Sequence, residues 1–373
     1  MRITLALCAL AACTTVDPEP APDATPTGCQ PAVGRLTVYA IPPPVALDWS
    51  TPNKLLGTVQ SSRTAATALV ASQQAAITHS IGHVNIELDC GDDSIPLTGQ
   101  TGGGADWPAA TDGAGLLLRD TPGAMDDMPT GDPAETISDI QRRQASGHVT
   151  RISFVVNRAM CKRLATFVDQ YVYRLAYRHY DGAFRARRFE GAGCAIFGAG
   201  VVDVGGLLRR SLFTPAWARS EMIGSARIAD FLGDGKYKYG GNLVARDASG
   251  THWLWPKGQD VPAPAGTPVW IDSPVLDAWS GAEDPPFAVP GLTGAMQTQL
   301  PFTIYDPELM ADWAEHVWTE ATANGTTMAF DVPWTASTVD HAHEVTYDAR
   351  CVSPQTIPFD ADNDDLFADS DAR

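Results

Sequence analysis

Alternating apolar and polar positions predict the first strands of the chain. Every second residue is apolar in GHVNIELDC, residues 82–90, and His83 opens the polar set. The same alternation runs through RLTVYAIP, residues 35–42, and a turn at 91–93 leads to SIPLTGQT, residues 94–101. Because a period of two buries one face of a strand, the pattern predicts a strand at 35–42 and a hairpin over 82–101.

A period of three to four residues predicts helices further along the chain. Apolar side chains recur at this spacing from Cys161 to Leu175, which is typical of a helix with one buried stripe. The mostly apolar stretch GCAIFGAGVVDVGGLLRR predicts a second, buried helix that begins near Cys194. A capping signal at Ser50 predicts a helix that ends near residue 75, and Asp306 opens a fourth.

These elements predict an α+β core over residues 34–214, an antiparallel sheet with packed helices. The core includes a further strand, TRISFVVN, at 150–157. Residues 99–147 combine glycine, proline and aspartate without a period. They are interpreted as a long surface insertion with little regular structure.

A loop-rich, tryptophan-rich extension or second domain is predicted for residues 215–354. Short strand candidates within it are THWLW and PVWID, and the segments TTMAFDVPWT and HEVTYDARC have the pattern to close a sheet. The last segment, 355–373, is acidic and is predicted to be a disordered tail.

The charge balance excludes some function classes. The chain has 373 residues, with 26 lysines and arginines against 44 aspartates and glutamates, a formal net charge of −18. Phosphate contacts need a basic surface, so nucleic acid is not an expected partner. No run of about 18 apolar residues occurs, so no membrane-spanning helix is predicted.

The N-terminal residues predict an export signal. The first residues, MRITLALCALAAC, place one basic residue before a short apolar run, the layout of a secretory signal. Leu10 to Cys13 resemble the bacterial lipobox, in which the cysteine receives lipid such as palmitate and becomes the new N-terminus. Residues 13–33 are rich in proline and threonine, which is typical of an extended tether. We expect residues 1–12 to be a signal peptide and the protein to be lipid-anchored in a bacterial cell envelope, periplasmic or surface-exposed. An ordinary signal peptide is the alternative.

The cysteine count predicts disulfides and one free thiol. Of seven cysteines, Cys8 leaves with the signal and Cys13 carries the lipid. An odd number then remains in a compartment that permits disulfides, so two disulfides and one free thiol are expected. No C-x-x-C motif occurs, and no metal or cofactor is predicted. With the pairing left open, the disulfide candidates are Cys29, Cys90, Cys161 and Cys351.

Cys194 and His83 are the candidate catalytic pair. Cys194 follows Gly191-Ala192-Gly193 at the predicted start of a helix, where the helix dipole and unpaired N–H groups stabilise a thiolate and lower its pKa. The same N–H groups can serve as an oxyanion hole. His83 begins a strand, a rigid position from which an imidazole can take a proton from a thiol. Cys161 and His79 compete for these roles, but Cys161 lies on an apolar helical stripe and His79 precedes the strand.

The order of these elements resembles a known enzyme superfamily over residues 35–207. A strand with a leading histidine, GHVNIEL, precedes a cysteine at a helix start, GAGCAIF, as in the circularly permuted branch of the papain-like superfamily. That superfamily includes NlpC-type cell-wall peptidases and relatives of lecithin:retinol acyltransferase. The resemblance implies Cys194 as nucleophile, His83 as general base, and a polar residue that orients the histidine. Gln100 on the next strand, or Glu87 on the face of His83, is the candidate. The long insertion after Gln100 and the absence of an obvious acidic or histidine third residue depart from the family pattern.

Two functional hypotheses follow from the sequence. The first is an envelope lipoprotein that acts as a thiol hydrolase or acyltransferase on an amide or ester, with a peptidoglycan peptide or a lipid as substrate. The second is a non-catalytic lipoprotein that binds a glycan or protein partner through its tryptophan-rich C-terminal half. A third, weaker interpretation is a zinc site at His341 and His343, for which no further ligand is visible nearby.

Overall fold

The structure is a computed structural model that describes part of the chain. Cys13, the predicted signal peptide and most of the predicted tether lie outside the described residues, as does the acidic tail apart from Phe359. The described residues are Cys29, 31–50, 52–102, 121–127, 132–180, 186–223, 242–247, 252–256, 268–272, 287–288, 300–354 and Phe359.

The described residues form helices and a mixed sheet, which confirms the predicted α+β class. The strands are β1 (Gly34–Ile41), β2 (His83–Asp89), β3 (Ile95–Thr98), β4 (Gln100–Gly102), β5 (Thr121–Met125), β6 (Thr150–Val156), β7 (His179–Tyr180), β8 (Ala218–Ile223), β9 (Asn242–Asp247), β10 (His252–Pro256), β11 (Pro268–Asp272), β12 (Phe287–Ala288), β13 (Leu300–Tyr305), β14 (Thr327–Ala329), β15 (Val332–Val339) and β16 (Ala342–Asp348). The helices are α1 (Pro52–Ala71), α2 (Pro133–Ser146), α3 (Arg158–Tyr173), α4 (Cys194–Gly205), α5 (Arg210–Trp217) and α6 (Pro307–Asn324).

The largest sheet of the described chain has seven strands in the order β14-β15-β16-β6-β1-β2-β3. Its neighbouring strands are antiparallel except β16 and β6, which pair in parallel, so the sheet is mixed rather than wholly antiparallel as predicted. The predicted pairing of 82–90 with 94–101 is confirmed by β2 and β3.

The C-terminal strands belong to the same sheet as the N-terminal ones. Strand β16 pairs with β6, and α6 packs its buried residues against this part of the sheet. Residues from about 300 onward are therefore part of the main core and not a separate extension. Strands β10 and β11 match the candidates THWLW and PVWID, and with β9 and β12 they form a four-stranded sheet of their own.

The segment 99–147 is more regular than predicted. Strands β4 and β5 pair with each other, and β5 also pairs with β7. Helix α2 begins at an Asp132 cap, whose carboxylate accepts from the N–H groups of Ala134 and Glu135, and it ends at Gly147 in the left-handed region. In the described parts of this segment, local capping and strand pairing give regular structure without a long apolar period.

Helix α4 lies directly on β2 because glycine is present at the contact. A Cβ atom at Gly198 would lie 2.5 Å from Val84 Cγ1, closer than any real contact allows. The glycine therefore permits the close approach that brings the first residue of the helix to the beginning of the strand. Cys194 and His83 occupy those two positions.

Within the described residues, no helix is long and apolar enough to cross a membrane.

Candidate active site

Cys194 is the first residue of α4 and is buried, with 4% of its surface exposed. Gly193 occupies the cap position and has no side chain that could accept from the first N–H groups of the helix. The positive end of the helix dipole lies at this end of α4, an arrangement that favours a thiolate. The predicted position of Cys194 at a helix start is confirmed.

Cys194 is the free cysteine of the described chain. The predicted disulfide candidates pair as Cys29–Cys351 and Cys90–Cys161. Cys161, the competing free thiol, is therefore bonded, and its disulfide ties α3 to the far end of the strand that His83 begins.

His83 contacts both a carboxylate and the thiol. Its Nε2 lies 3.2 Å from Asp126 Oδ2. The same ring lies at the Cys194 thiol, and the two groups act on each other's pKa. The three side chains form a chain of contacts from carboxylate to imidazole to sulfur.

The surroundings of Cys194 and His83 favour a thiolate at the one and an imidazolium at the other. Burial opposes a charge on His83, but the adjacent Cys194 thiolate and the hydrogen bond to Asp126 raise the pKa of His83 to about 10. Burial also opposes ionisation of Cys194, but the charge and hydrogen bond of His83 lower the pKa of the thiol. Each charge is therefore stabilised by the other in a buried site.

Asp126 is the carboxylate that orients His83, and the sequence pattern does not single it out. It follows β5 directly, and its N–H donates to the Gly99 carbonyl at 3.0 Å. Asn85, two residues after His83 on β2, donates its side-chain N–H to the same Oδ2 at 2.7 Å. The oxygen that faces His83 is thus fixed by the strand that carries His83.

Neither of the predicted orienting residues has this role. The Gln100 side-chain amide donates to the carbonyls of Tyr177 and His179, at 3.2 and 2.7 Å, and accepts from the Tyr171 hydroxyl. Glu87 accepts from the Tyr39 hydroxyl at 2.7 Å, two pleats further along the strand. Gln100 contacts the segment that leads to Tyr180, so its link to the site is indirect.

Tyr180 is a second site residue without a signal in the sequence pattern. Its hydroxyl donates to Cys194 Sγ at 3.8 Å, and the Cys194 N–H donates to the hydroxyl oxygen. The sulfur also accepts from the Val84 N–H. Gly191 makes this approach possible, because its φ is +119° and a Cβ there would lie 2.2 Å from the His179 carbonyl oxygen.

A small cleft, partly open to solvent, leads to the sulfur. Its walls are largely apolar and aromatic, so it suits the uncharged part of a substrate next to a reactive carbonyl. Asp306, Tyr180 and Tyr305 bring polar atoms to its walls besides the thiol. The apolar and aromatic walls are formed by Trp49, Ile81, Ile304, Tyr305 and Pro307.

The predicted zinc interpretation has no support. His343 Nδ1 is 2.7 Å from Glu315 Oε2, and its ring stacks on Trp318. Among the residues that the structure describes, no group of three histidine, cysteine or acidic side chains is arranged to hold a metal ion.

Comparisons with family models, with curated proteins and with solved structures find no match to this chain.

Proposed function

We propose that this chain is a thiol hydrolase or acyltransferase of the papain-like kind, in which Cys194 attacks the carbonyl of an ester or amide. The observation that carries the proposal is the single buried contact chain from Asp126 through His83 to a thiol at a helix N-terminus. The element order, histidine strand before cysteine helix, is the order of the permuted branch and supports the same assignment.

The proposed reaction has two steps. The Cys194 thiolate attacks the carbonyl carbon and forms the C–S bond. As the C–O or C–N bond of the substrate breaks, the His83 imidazolium gives its proton to the leaving group. The neutral His83 then takes a proton from water, or from an acceptor alcohol or amine, which attacks the thioester. The thiolate leaves, and the imidazolium and thiolate are restored.

Two hydrogen-bond donors near the sulfur could stabilise the negative oxygen of the tetrahedral intermediate. The Cys194 N–H and the Tyr180 hydroxyl, which contact each other, both lie at the reacting sulfur. A carbonyl oxygen that replaces this mutual contact would accept from both groups. Asp126 holds the His83 ring in the orientation that the transfer needs.

The cleft argues for a substrate with an uncharged group next to the reacting carbonyl. Trp49, Ile304 and Pro307 offer apolar contact beside Cys194. A peptidoglycan peptide amide and a lipid ester both satisfy this condition, and the proposed envelope location with a lipid at Cys13 would expose the site to either. Binding of a glycan or protein through the tryptophan-rich C-terminal half stays the alternative prediction, and the side chains of 242–288 lie outside the described residues.

Trapping of an acyl-enzyme tests the proposal. The full chain is incubated with activated esters of short and long acyl groups and with a peptide amide, quenched in acid, and mapped by mass spectrometry. We expect acyl mass on the Cys194 peptide and no turnover in Cys194→Ala. Cys161 and Cys90 peptides are the internal reference, since both residues are disulfide-bonded. Turnover that survives Cys194→Ala, or no acyl adduct with any substrate class, contradicts the proposal.

A further inference from the structure

A second histidine lies flat against the first. The rings of His79 and His83 stack with centroids 4.4 Å apart and planes within 1° of each other. His79 precedes β2 and is mostly buried. One face of the His83 ring thus lies against a flat, parallel neighbour.

A buried carboxylate holds His79 in this place. His79 Nε2 lies 3.3 Å from Asp139 Oδ2 on α2. The same oxygen accepts from Arg143 Nε at 2.7 Å, while Oδ1 accepts from the N–H groups of Ala76 and Ile77 at 2.7 and 2.8 Å. Asp139 and Arg143 are almost fully buried. These contacts of Asp139 therefore fix the loop that carries His79 to α2.

Only one of the two stacked rings can carry a charge at this distance. The groups that face His79 are His83, Asp139 and Arg143, and the groups that face His83 from its other sides are Asp126 and Cys194. Burial and the positive charge of His83 lower the pKa of His79 to about 4, although Asp139 opposes this. Because the Cys194 thiolate favours the charge on His83, His79 is neutral and donates its N–H to Asp139.

We propose that His79 is a positioning residue whose ring, clamped by Asp139, keeps the His83 imidazolium in the plane in which it meets both Cys194 and Asp126. An imidazole at the start of a strand can rotate about its Cβ–Cγ bond, and rotation separates both contacts at once. A ring stacked at 4.4 Å opposes that rotation because the turning edge would enter its space. This inference rests on the proposed function, since it assigns His79 a role in keeping the ion pair of the reacting groups.

Two variants separate the ring from its hydrogen bond. His79→Phe keeps a flat ring against His83 and leaves Asp139 with Arg143 and two backbone donors. His79→Ala removes the ring. The rate of Cys194 alkylation by iodoacetamide is measured from acid to alkaline pH in the full, non-reduced chain by peptide mapping, and thermal unfolding confirms that each variant is folded.

The expected result is a pH profile that depends on the ring. In His79→Ala the acidic limb of Cys194 reactivity moves up by about one pH unit, which is about a tenfold loss of rate at a pH below the limb. His79→Phe keeps the wild-type limb. A general packing role would lower the unfolding temperature without moving the limb.

The experiment distinguishes failure of the His79 role from failure of the proposed function. If the wild-type acidic limb lies below the pH of an ordinary thiol and His79→Ala does not move it, the role of His79 is wrong but the proposed function is not. An equal shift of the limb in His79→Phe and His79→Ala likewise contradicts the role of the ring. A wild-type limb at the value of an ordinary thiol overturns the proposed function, and the role of His79 with it.

Discussion

Asp126 Oδ2 lies 3.2 Å from His83 Nε2, although 43 residues separate the two in the chain. The carboxylate comes from the end of β5 and the imidazole from the beginning of β2. The pairing of β4 with β5 and the hydrogen bond from Asp126 to Gly99 bring them together. The orienting residue of the site is thus supplied by strand pairing inside the segment after Gln100.

Replacement of Asp126 tests its role in the site. In Asp126→Ala, the His83 ring loses its acceptor, so we expect kcat/KM to fall by about one to two orders of magnitude. Asp126→Asn keeps an oxygen acceptor and retains more of the activity. Asp127→Asn is the matched control, because Asp127 accepts from Thr98 and not from His83. Equal activity of Asp126→Ala and Asp127→Asn would contradict the assignment.

Removal of the Tyr180 hydroxyl is expected to slow acyl transfer. Tyr180→Phe deletes one donor to the sulfur and to the developing oxyanion, and such a loss commonly costs about a hundredfold in kcat. Tyr177→Phe is the control, because Tyr177 serves the site through its backbone carbonyl. Steady-state kinetics with an activated ester compare the two. A Tyr180→Phe enzyme with the rate of Tyr177→Phe would remove Tyr180 from the mechanism.

Gln100 is expected to affect both stability and activity. In Gln100→Leu, the carbonyls of Tyr177 and His179 lose their buried donor, which is expected to destabilise the fold by about 1–3 kcal/mol. The segment that leads to Tyr180 then loses its anchor, so kcat falls as well. Urea unfolding and ester turnover measure the two effects. Wild-type stability in Gln100→Leu would show that these hydrogen bonds contribute nothing.

The low pKa of His79 makes the fold sensitive to acid. Its pKa falls from the usual 6.5 to about 4 on folding, so between these values the unfolded chain binds a proton at His79 that the folded chain does not. The free energy of unfolding therefore falls as pH drops from about 6.5 to about 4, by up to about 3 kcal/mol from this residue. His79→Phe removes this part of the slope. Identical slopes for variant and wild type in urea unfolding would contradict it.

Local pattern was sufficient to place Cys194 and His83 on their elements. The alternation in residues 82–90 and the glycines before Cys194 are signals within a few residues, and both predict the element that carries the side chain. The free thiol follows from the odd number of cysteines, and the structure agrees that Cys194 is unpaired within the described chain.

Contacts between distant segments account for what the pattern did not predict. Asp126 and Tyr180 reach the site through short strands that pair with each other, and a strand of two to five residues has too few positions to show a period. His79 precedes β2, so the alternation of apolar and polar residues in that strand does not predict that His79 stacks on His83. Helix α2 did carry a local signal, since Asp132 and Pro133 form a capping sequence and Gly147 a terminating one. The parallel pairing of β16 with β6 joins residues about 190 positions apart, which no local pattern records.

The most direct test of the account is the pH dependence of Cys194 alkylation in wild type, His83→Ala and His343→Ala. The last variant is the control, since it also removes a histidine paired with a carboxylate, but Glu315 and Trp318 are its partners. We expect wild type and His343→Ala to react below about pH 7, and His83→Ala to react only near the pKa of an ordinary thiol, about 8.5. One common limb near pH 8.5 in all three proteins would contradict the thiolate–imidazolium pair on which the proposed chemistry depends.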